Sequence, residues 1–315
     1  MRDVSGRKPG ATTGAPLLPV ELGLTAAIVA VNGARPLILT ARAESEEGRA
    51  ALPSGPFDPL THRTLEIGLR AWVAEQTGAP MGYVEQLYTF GDRGRHAQAG
   101  DVAPHAVSVG YLALTRVSQR AEAAAGFRDW HEFFPWEDWR EGRPAILDAI
   151  QPRLDAWADA APGRAERVGL LFGERRDEER TLERYELLYE AGLVEEAWRD
   201  GRVARKPAPP LGAAMRLDHR RILATAMGRL RAKLKYRPVV FELMPPSFTL
   251  TALQRTVEAV AGRQIHKQNF RRLVESTDLV EPTGDLAHQT GGRPAALYRF
   301  RRAVVAERPA PGLRV

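Results

Sequence analysis

The spacing of apolar residues changes several times along this chain. Leu22 to Val31 (LGLTAAIVAV) and Pro36 to Thr40 are short apolar runs of strand length, joined by Asn32-Gly33. That dipeptide between apolar runs is a strong hairpin signal. Leu65, Leu69, Trp72 and Val73 then recur at helical spacing, and Gly78 stands where a left-handed C-cap belongs. Tyr83 to Phe90 and Ala106 to Leu114 return to strand-like runs. The order strand, strand, helix, strand, strand predicts a mixed α/β domain over 21–116.

Residues 117–200 differ in character. Trp130, Phe133, Phe134, Trp136 and Trp139 crowd together, and charge-rich helical segments such as EERTLERYELLYEAGLVEEAWRDG follow. The aromatic cluster reads as the packing of an inserted helical element; the competing reading is an interaction surface. Residues 201–212 (GRVARKPAPPLG) are basic and Pro-rich, as suits an extended connector. Residues 213–236 form one long helical pattern with an apolar stripe of Leu223, Met227, Leu230 and Leu234. Arg216, Arg220, Arg221, Arg231 and Lys233 fall among its polar positions, and Asp218-His219 is its candidate start, with Asp218 as the cap. His105 and His219 lack the spacing of metal ligands and are assigned structural roles.

From residue 247 the local signals agree on one motif. Thr249 is a candidate N-cap, Phe248 can staple to Leu253, and Leu253, Val257 and Val260 line one helix face that ends at Gly262. A turn (GRQI) leads to a second helix, HKQNFRRLVES. At about 100° per residue, Phe270, Leu273 and Val274 share one side, while Gln268, Arg271 and Arg272 lie on the other. Arg and Gln suit bidentate reading of guanine and adenine edges, and a major groove accepts one helix. Leu279 to Gly284 and Ala295 to Phe300 then form a hairpin with Arg293 near its tip. Helix, turn, helix and hairpin is the order of a winged helix-turn-helix, which predicts contact with double-stranded DNA.

Composition and charge narrow the picture. With 315 residues, 44% hydrophobic, the chain suits about two domains and is not a disordered polymer. The polar, Gly-rich start (MRDVSGRKPGATTG) reads as a tail, and no apolar run reaches membrane-spanning length. The absence of Cys removes disulfides, thiolate metal sites and Cys nucleophiles, and a cytoplasmic protein is expected. Residues 201–315 carry 22 Lys/Arg against 8 Asp/Glu, whereas residues 1–200 carry 23 against 31. A basic last third on an acidic body places a polyanion partner at the C-terminal part.

Residues 52–91 (LPSGPFDPLTHRTLEIGLRAWVAEQTGAPMGYVEQLYTFGD) resemble the Nudix family. Its box leads from a Gly turn through a Glu into a helix with Arg-Glu and Glu-Glu pairs, whose carboxylates hold divalent cations against a pyrophosphate. With Gly78 as the closing Gly, the Arg-Glu pair falls on Ala71 and Trp72, the Glu-Glu pair on Glu75 and Gln76, and the early Glu on Arg63. Only Glu75 keeps its carboxylate. Glu66 lies about 180° away on the helix and cannot replace the others. Glu85, beyond the box, gains no support as a ligand. A degenerate box followed by a winged helix resembles the Nudix-related regulators of NAD metabolism, the NrtR type. The resemblance is strongest in YTFGD (88–92), FELMPPSFTLTALQ (241–254), NFRR (269–272) and GRPAALYRF (292–300). His266 and Gln268 depart from the acid-basic-basic start of that family's recognition segment.

The resemblance implies an α+β protein, a Nudix-like mixed-sheet sandwich followed by a winged helix-turn-helix domain. It further implies a homodimeric repressor that binds a palindromic operator of NAD-metabolism genes and senses an ADP-ribose-type nucleotide, without a cofactor. The expected divisions are a tail (1–19), a Nudix-like domain (20–205) with a helical insert near 117–200, a connector and long helix (206–238), the winged helix (239–303) and a second tail (304–315). DNA-contact candidates are Thr249, Thr251, Lys267, Gln268, Asn269, Arg271, Arg272 and Arg293. Ligand candidates, between the sheet and the box helix, are Arg42, Gly55, Glu75, Tyr88, Phe90 and Asp92. The alternative is a hydrolase of ADP-ribose or a related dinucleotide, against which the missing carboxylates count. A third reading is a protein-interaction module built on the aromatic cluster.

Overall fold

The computed structural model describes residues 19–41, 48–92, 105–117, 126–287, 294–307 and 312–313. Strand β1 (Val20–Asn32) pairs antiparallel with β2 (Arg35–Leu39). Asn32 is itself the last paired residue, so the two loop positions are Gly33 and Ala34, one step later than an Asn-Gly centre. Gly33 takes φ 60°, and a glycine at the first loop position with positive φ is the type II′ arrangement. Strands β3 (Ser54–Pro56), β4 (Val84–Phe90), β5 (His105–Leu114) and β6 (Phe127–Asp129) complete a sheet of order β4-β5-β1-β2-β6, with β3 paired to β1. β1 and β5 run parallel and the other pairs antiparallel.

Both faces of this sheet are covered, which is why β1 is apolar without alternation. Leu24, Ala26 and Ile28 pack with Leu69 and Val73 of helix α1 (Leu65–Thr77). Thr64 caps α1 by accepting the Ile67 N–H at 3.2 Å, and Gly78 ends it at φ 66°. On the opposite face Ala27, Val29, Leu112 and Leu114 join a larger core. That core contains α2 (Leu147–Asp159), α3 (Arg164–Phe172), α4 (Thr181–Glu190), α5 (Glu195–Arg199) and the long α6 (His219–Tyr236). Trp130, Phe133, Phe134 and Trp136 are at most 1% exposed and Trp139 is partly buried against the same core, so the aromatic cluster serves packing.

Helix α6 starts at His219, the candidate start, six residues into the helical pattern of 213–236. Asp218 occupies the cap position but makes no capping bond; its carboxylate faces Arg221 at 3.3 Å. The stripe of Leu223, Met227, Leu230 and Leu234 is buried as expected, but Arg220 and Arg231, placed among the polar positions, are buried too. Arg220 donates to the Phe133 and Leu211 carbonyls and pairs with Glu196 at 3.2 Å. Gly212, at φ 75°, allows this approach, since a Cβ there would lie 2.6 Å from the Phe133 carbonyl.

Arg231 belongs to a larger node. The fully buried Glu137 receives Arg184 Nε at 2.5 Å, Arg176 Nη2 at 2.7 Å and Arg231 Nη1. Arg231 Nε donates to the Val260 carbonyl at 2.9 Å, at the end of the next helix. Burial alone would raise the Glu137 carboxyl, but Arg184, Arg231 and Arg176 outweigh it and hold it well below the usual carboxylate range.

The C-terminal part contains α7 (Leu250–Ala261), α8 (Lys267–Thr277) and the hairpin of β7 (Val280–Ala287) and β8 (Ala295–Phe300), before a short α9 (Val304–Glu307). Phe248 exchanges both backbone hydrogen bonds with Tyr298, at 2.9 and 2.8 Å, adding a third short strand to the wing. The expected mixed-sheet sandwich and winged helix are therefore both present.

Replacing Glu137 by Gln leaves three buried guanidiniums without a counter-charge and is expected to cost about 3–5 kcal/mol in urea unfolding at neutral pH. A carboxyl lowered in the folded state stabilises above its unfolded pKa and ceases to do so as pH falls toward the folded value. The wild type should therefore lose stability below its unfolded value of 4.5, and E137Q should lose less over that range. Equal acid sensitivity in the two proteins would contradict this role for Glu137.

Candidate nucleic-acid interface and ligand cleft

The helix-turn-helix is set by hydrogen bonds that its sequence encodes locally. Thr249 caps α7 by accepting the Ala252 N–H at 3.1 Å. Gly262 ends the helix at φ 68°, where a Cβ would meet the Glu137 carbonyl at 2.5 Å. Glu258 then accepts the Ile265 N–H at 2.9 Å, and Gln254 Nε2 donates to the Ile265 carbonyl at 2.9 Å. These two side chains of α7 clamp the turn and so fix where α8 begins. Sequence reading found the turn but not its clamp.

Helix α8 is anchored by Phe270 and Val274, each 1% exposed, with Leu273 partly buried beside them. Lys267, Gln268, Asn269, Arg271 and Arg272 are all exposed. The angular separation read from the sequence thus holds in three dimensions. Thr249, Thr251, Lys267 and Arg271 line one open groove of about 480 Å³, walled on its far side by Pro294 to Ala296 and Tyr298. Glu275 is the single acidic residue among the described residues of that lining. Gln268, Asn269 and Arg272 stand on α8 outside the groove, and Arg293 lies outside the described residues. A helix with a polar outer face, beside a helix N-terminus and a hairpin, can enter a major groove while its neighbours meet phosphates.

The expected ligand residues do not converge in the same way. Gly55 and Glu75 belong to the α1 side of the sheet, whereas Phe90 belongs to the α6 side. Phe90 is 1% exposed, packs near Gly110 and Ile222, and has the Arg221 guanidinium 5.5 Å from its ring centre. It cannot stack a ligand, because its strand position turns it into the core. Tyr88 sits edge-on to Phe90 at 5.4 Å and is 62% exposed on the edge strand, away from the box helix. Asp92 is exposed just beyond β4, and Arg42 lies outside the described residues.

The box positions carry structural contacts instead. Trp72 Nε1 donates to the Pro56 carbonyl at 2.8 Å, and its indole lies where a Cβ on Gly55 would stand, 2.3 Å away. Gln76 holds both backbone groups of Ser54, accepting its N–H at 3.1 Å and donating to its carbonyl at 2.6 Å. Glu75 is exposed, Glu66 pairs with Arg70 at 2.9 Å, and Glu85 pairs with Lys233 at 3.0 Å. Among the described residues, no three His, Cys, Asp or Glu side chains are grouped to hold a metal ion. Trp72 and Gln76 were readable as departures from the box, but their contacts with β3 were not.

Comparison with known proteins agrees with this geometry. Residues 240–300 match the family described as the NrtR DNA-binding winged helix domain. The chain is 43% identical over 83 residues to the "ADPR responsive transcriptional repressor NtrR" of Acinetobacter baylyi; the match takes in 26% of this chain and 33% of that relative's length. The fold is similar to that of Shewanella oneidensis NrtR in complex with a 27mer DNA, with a TM-score of 0.53 and 20% identity over 90% of this chain and 95% of the other. The same Shewanella protein in a second crystal structure gives a TM-score of 0.52 at 21% identity, over 89% and 94% of the two chains.

Two neighbouring box residues should separate in a stability measurement. Gln76→Ala leaves the Ser54 backbone groups without partners and is expected to cost about 1–3 kcal/mol. Glu75→Ala, at an exposed position, should stay within about 0.5 kcal/mol of wild type. Equal effects in urea titrations would contradict the contacts drawn here.

Proposed function

We propose, from the premise that residues 240–300 form an NrtR-type DNA-binding winged helix domain, that the chain is a transcriptional repressor of NAD-metabolism genes. It binds a palindromic operator as a homodimer in the cytoplasm and responds to an ADP-ribose-type nucleotide. The observation that carries this reading is the exposed face of α8, with Lys267, Gln268, Asn269, Arg271 and Arg272 outward and Phe270 and Val274 anchored beneath. Lys267 and Arg271 share a groove with Thr249 and Thr251, so base contacts and phosphate contacts fall on one surface. The charge balance of 22 Lys/Arg to 8 Asp/Glu over residues 201–315 supports the same partner. The relative from Acinetobacter baylyi, matched over part of its length, carries the name of an ADP-ribose-responsive repressor. No helix among the described residues is long and apolar enough to cross a membrane.

The box is read as catalytically degenerate. Trp72 and Gln76 occupy two positions where the Nudix pattern places carboxylates, and both are committed to the β3 backbone. A divalent cation against a pyrophosphate needs several oxygen ligands, and Glu75 supplies one carboxylate.

Selection of bound duplexes from a random pool by the full-length protein tests this function. The expected outcome is enrichment of a two-fold symmetric sequence. Affinity for it should fall about 10³-fold or more between roughly 50 and 200 mM salt, as several phosphate contacts require. Arg271→Ala should weaken specific binding by about 1–3 kcal/mol while leaving the melting temperature unchanged. Failure to enrich any sequence, or magnesium-dependent hydrolysis of ADP-ribose at enzymatic rates, overturns the proposal.

A further inference from the structure

A second concave site lies away from both the α8 groove and the box helix. Between the tip of the β1–β2 hairpin and the loop leading into α7 is a cavity of about 380 Å³. One wall is apolar, formed by Leu243, Met244, Pro245 and Pro246, with Val31 opposite. Two guanidiniums, Arg116 and Arg255, also line it, and none of its described lining residues is acidic. Both arginines are exposed. Arg116 Nη2 makes one long hydrogen bond to the Phe241 carbonyl at 3.3 Å. Among the described residues, neither arginine has a carboxylate partner. Arg49, Arg140, Arg167 and Arg221, by contrast, each face a carboxylate.

The combination defines a ligand class. A cavity of this size falls within the range that encloses small molecules, and such sites join apolar walls to a few convergent polar groups. The planar fork of a guanidinium matches phosphate oxygens bidentately. An apolar shelf bounded by two prolines suits a flat ring. We propose that this junction cavity binds a nucleoside phosphate, with the phosphate held by Arg116 and Arg255 and the base laid against the Leu243–Pro246 wall.

Its position gives such a ligand a consequence. Ala252, Arg255 and Thr256 reach the cavity from α7, the helix whose first residues, Thr249 to Thr251, line the α8 groove. Asn32 and Gly33 reach it from the hairpin of the sheet. An occupant therefore touches the sheet and the first helix of the DNA-binding motif together. If DNA changes its affinity, the ligand must change DNA affinity by the same factor. This coupling rests on the DNA-binding reading, whereas binding of the ligand itself does not.

Isothermal titration of the full-length protein with AMP, without DNA, tests the site. AMP should bind, and adenosine should bind at least tenfold more weakly because it offers no phosphate. The double variant Arg116→Ala/Arg255→Ala should lose at least tenfold in AMP affinity with an unchanged melting temperature. Arg255→Lys in the Arg116→Ala background should retain part of that affinity, because a single cation remains. Glu166→Ala, at an exposed position on α3, should leave AMP binding as in wild type. Absence of AMP binding, equal affinity for adenosine, or undiminished binding by the double variant overturns the proposal. Failure of the DNA-binding reading would appear separately, as a lack of sequence-specific DNA binding by the wild type.

Discussion

One buried carboxylate holds three parts of this molecule in register. Glu137 lies at the end of the aromatic turn, Arg176 and Arg184 come from the helical segment, and Arg231 comes from the long helix. Arg231 also donates to the Val260 carbonyl near the end of α7, where Gly262 leaves room for the contact. Desolvating four charges is costly, and an apolar cluster of equal volume stabilises a fold at least as well. What the ionic node adds is geometry. Arg231 must face Glu137 and Val260 at once, so α6 and α7 have one relative placement that satisfies every partner.

That placement governs the surfaces where chemistry is expected. α6 lies across β1, β4 and β5 on one side and meets α7 on the other, while α7 also packs on the β1–β2 hairpin. The backbone of Trp139, two residues after Glu137, donates to the Gly262 carbonyl at 2.8 Å, joining the same corner from the helical segment. The helix-turn-helix is therefore mounted on the sheet and the long helix together. A change at the hairpin has a short physical route to Thr249 and Thr251, through the body of α7.

The sequence made the periodic features legible and hid those that depend on distant partners. The β1–β2 hairpin, α1 with its Gly78 cap, and the two faces of α8 follow from local spacing, and all three are present in the fold. Arg220 and Arg231 looked like surface residues because a helical pattern scores charge as polar; their partners, Glu196 and Glu137, lie far away in the chain. Phe90 was misplaced for a related reason. Strand alternation says that neighbouring residues point to opposite faces, but not which face the box helix covers. The loss of carboxylates at the box was visible from residue identity alone. That Trp72 and Gln76 would bind the β3 backbone needed the fold. The basic excess of the last third was legible as a number, but not that Arg220 and Arg231 of α6 are buried while Lys267, Arg271 and Arg272 of α8 face outward.

An inward-facing ionic node and a helix with a free polar face describe a molecule suited to binding. Its central claim is that a nucleotide bound to the body changes how the winged helix holds DNA. Fluorescence anisotropy of the purified protein on its selected operator, titrated with ADP-ribose and with NAD, addresses that claim most directly. The account predicts that ADP-ribose shifts operator affinity by fivefold or more, within the usual range of coupling between two sites, and that NAD has a smaller effect. Operator affinity that stays constant at saturating ADP-ribose, with nucleotide binding demonstrated in the same sample, would contradict it.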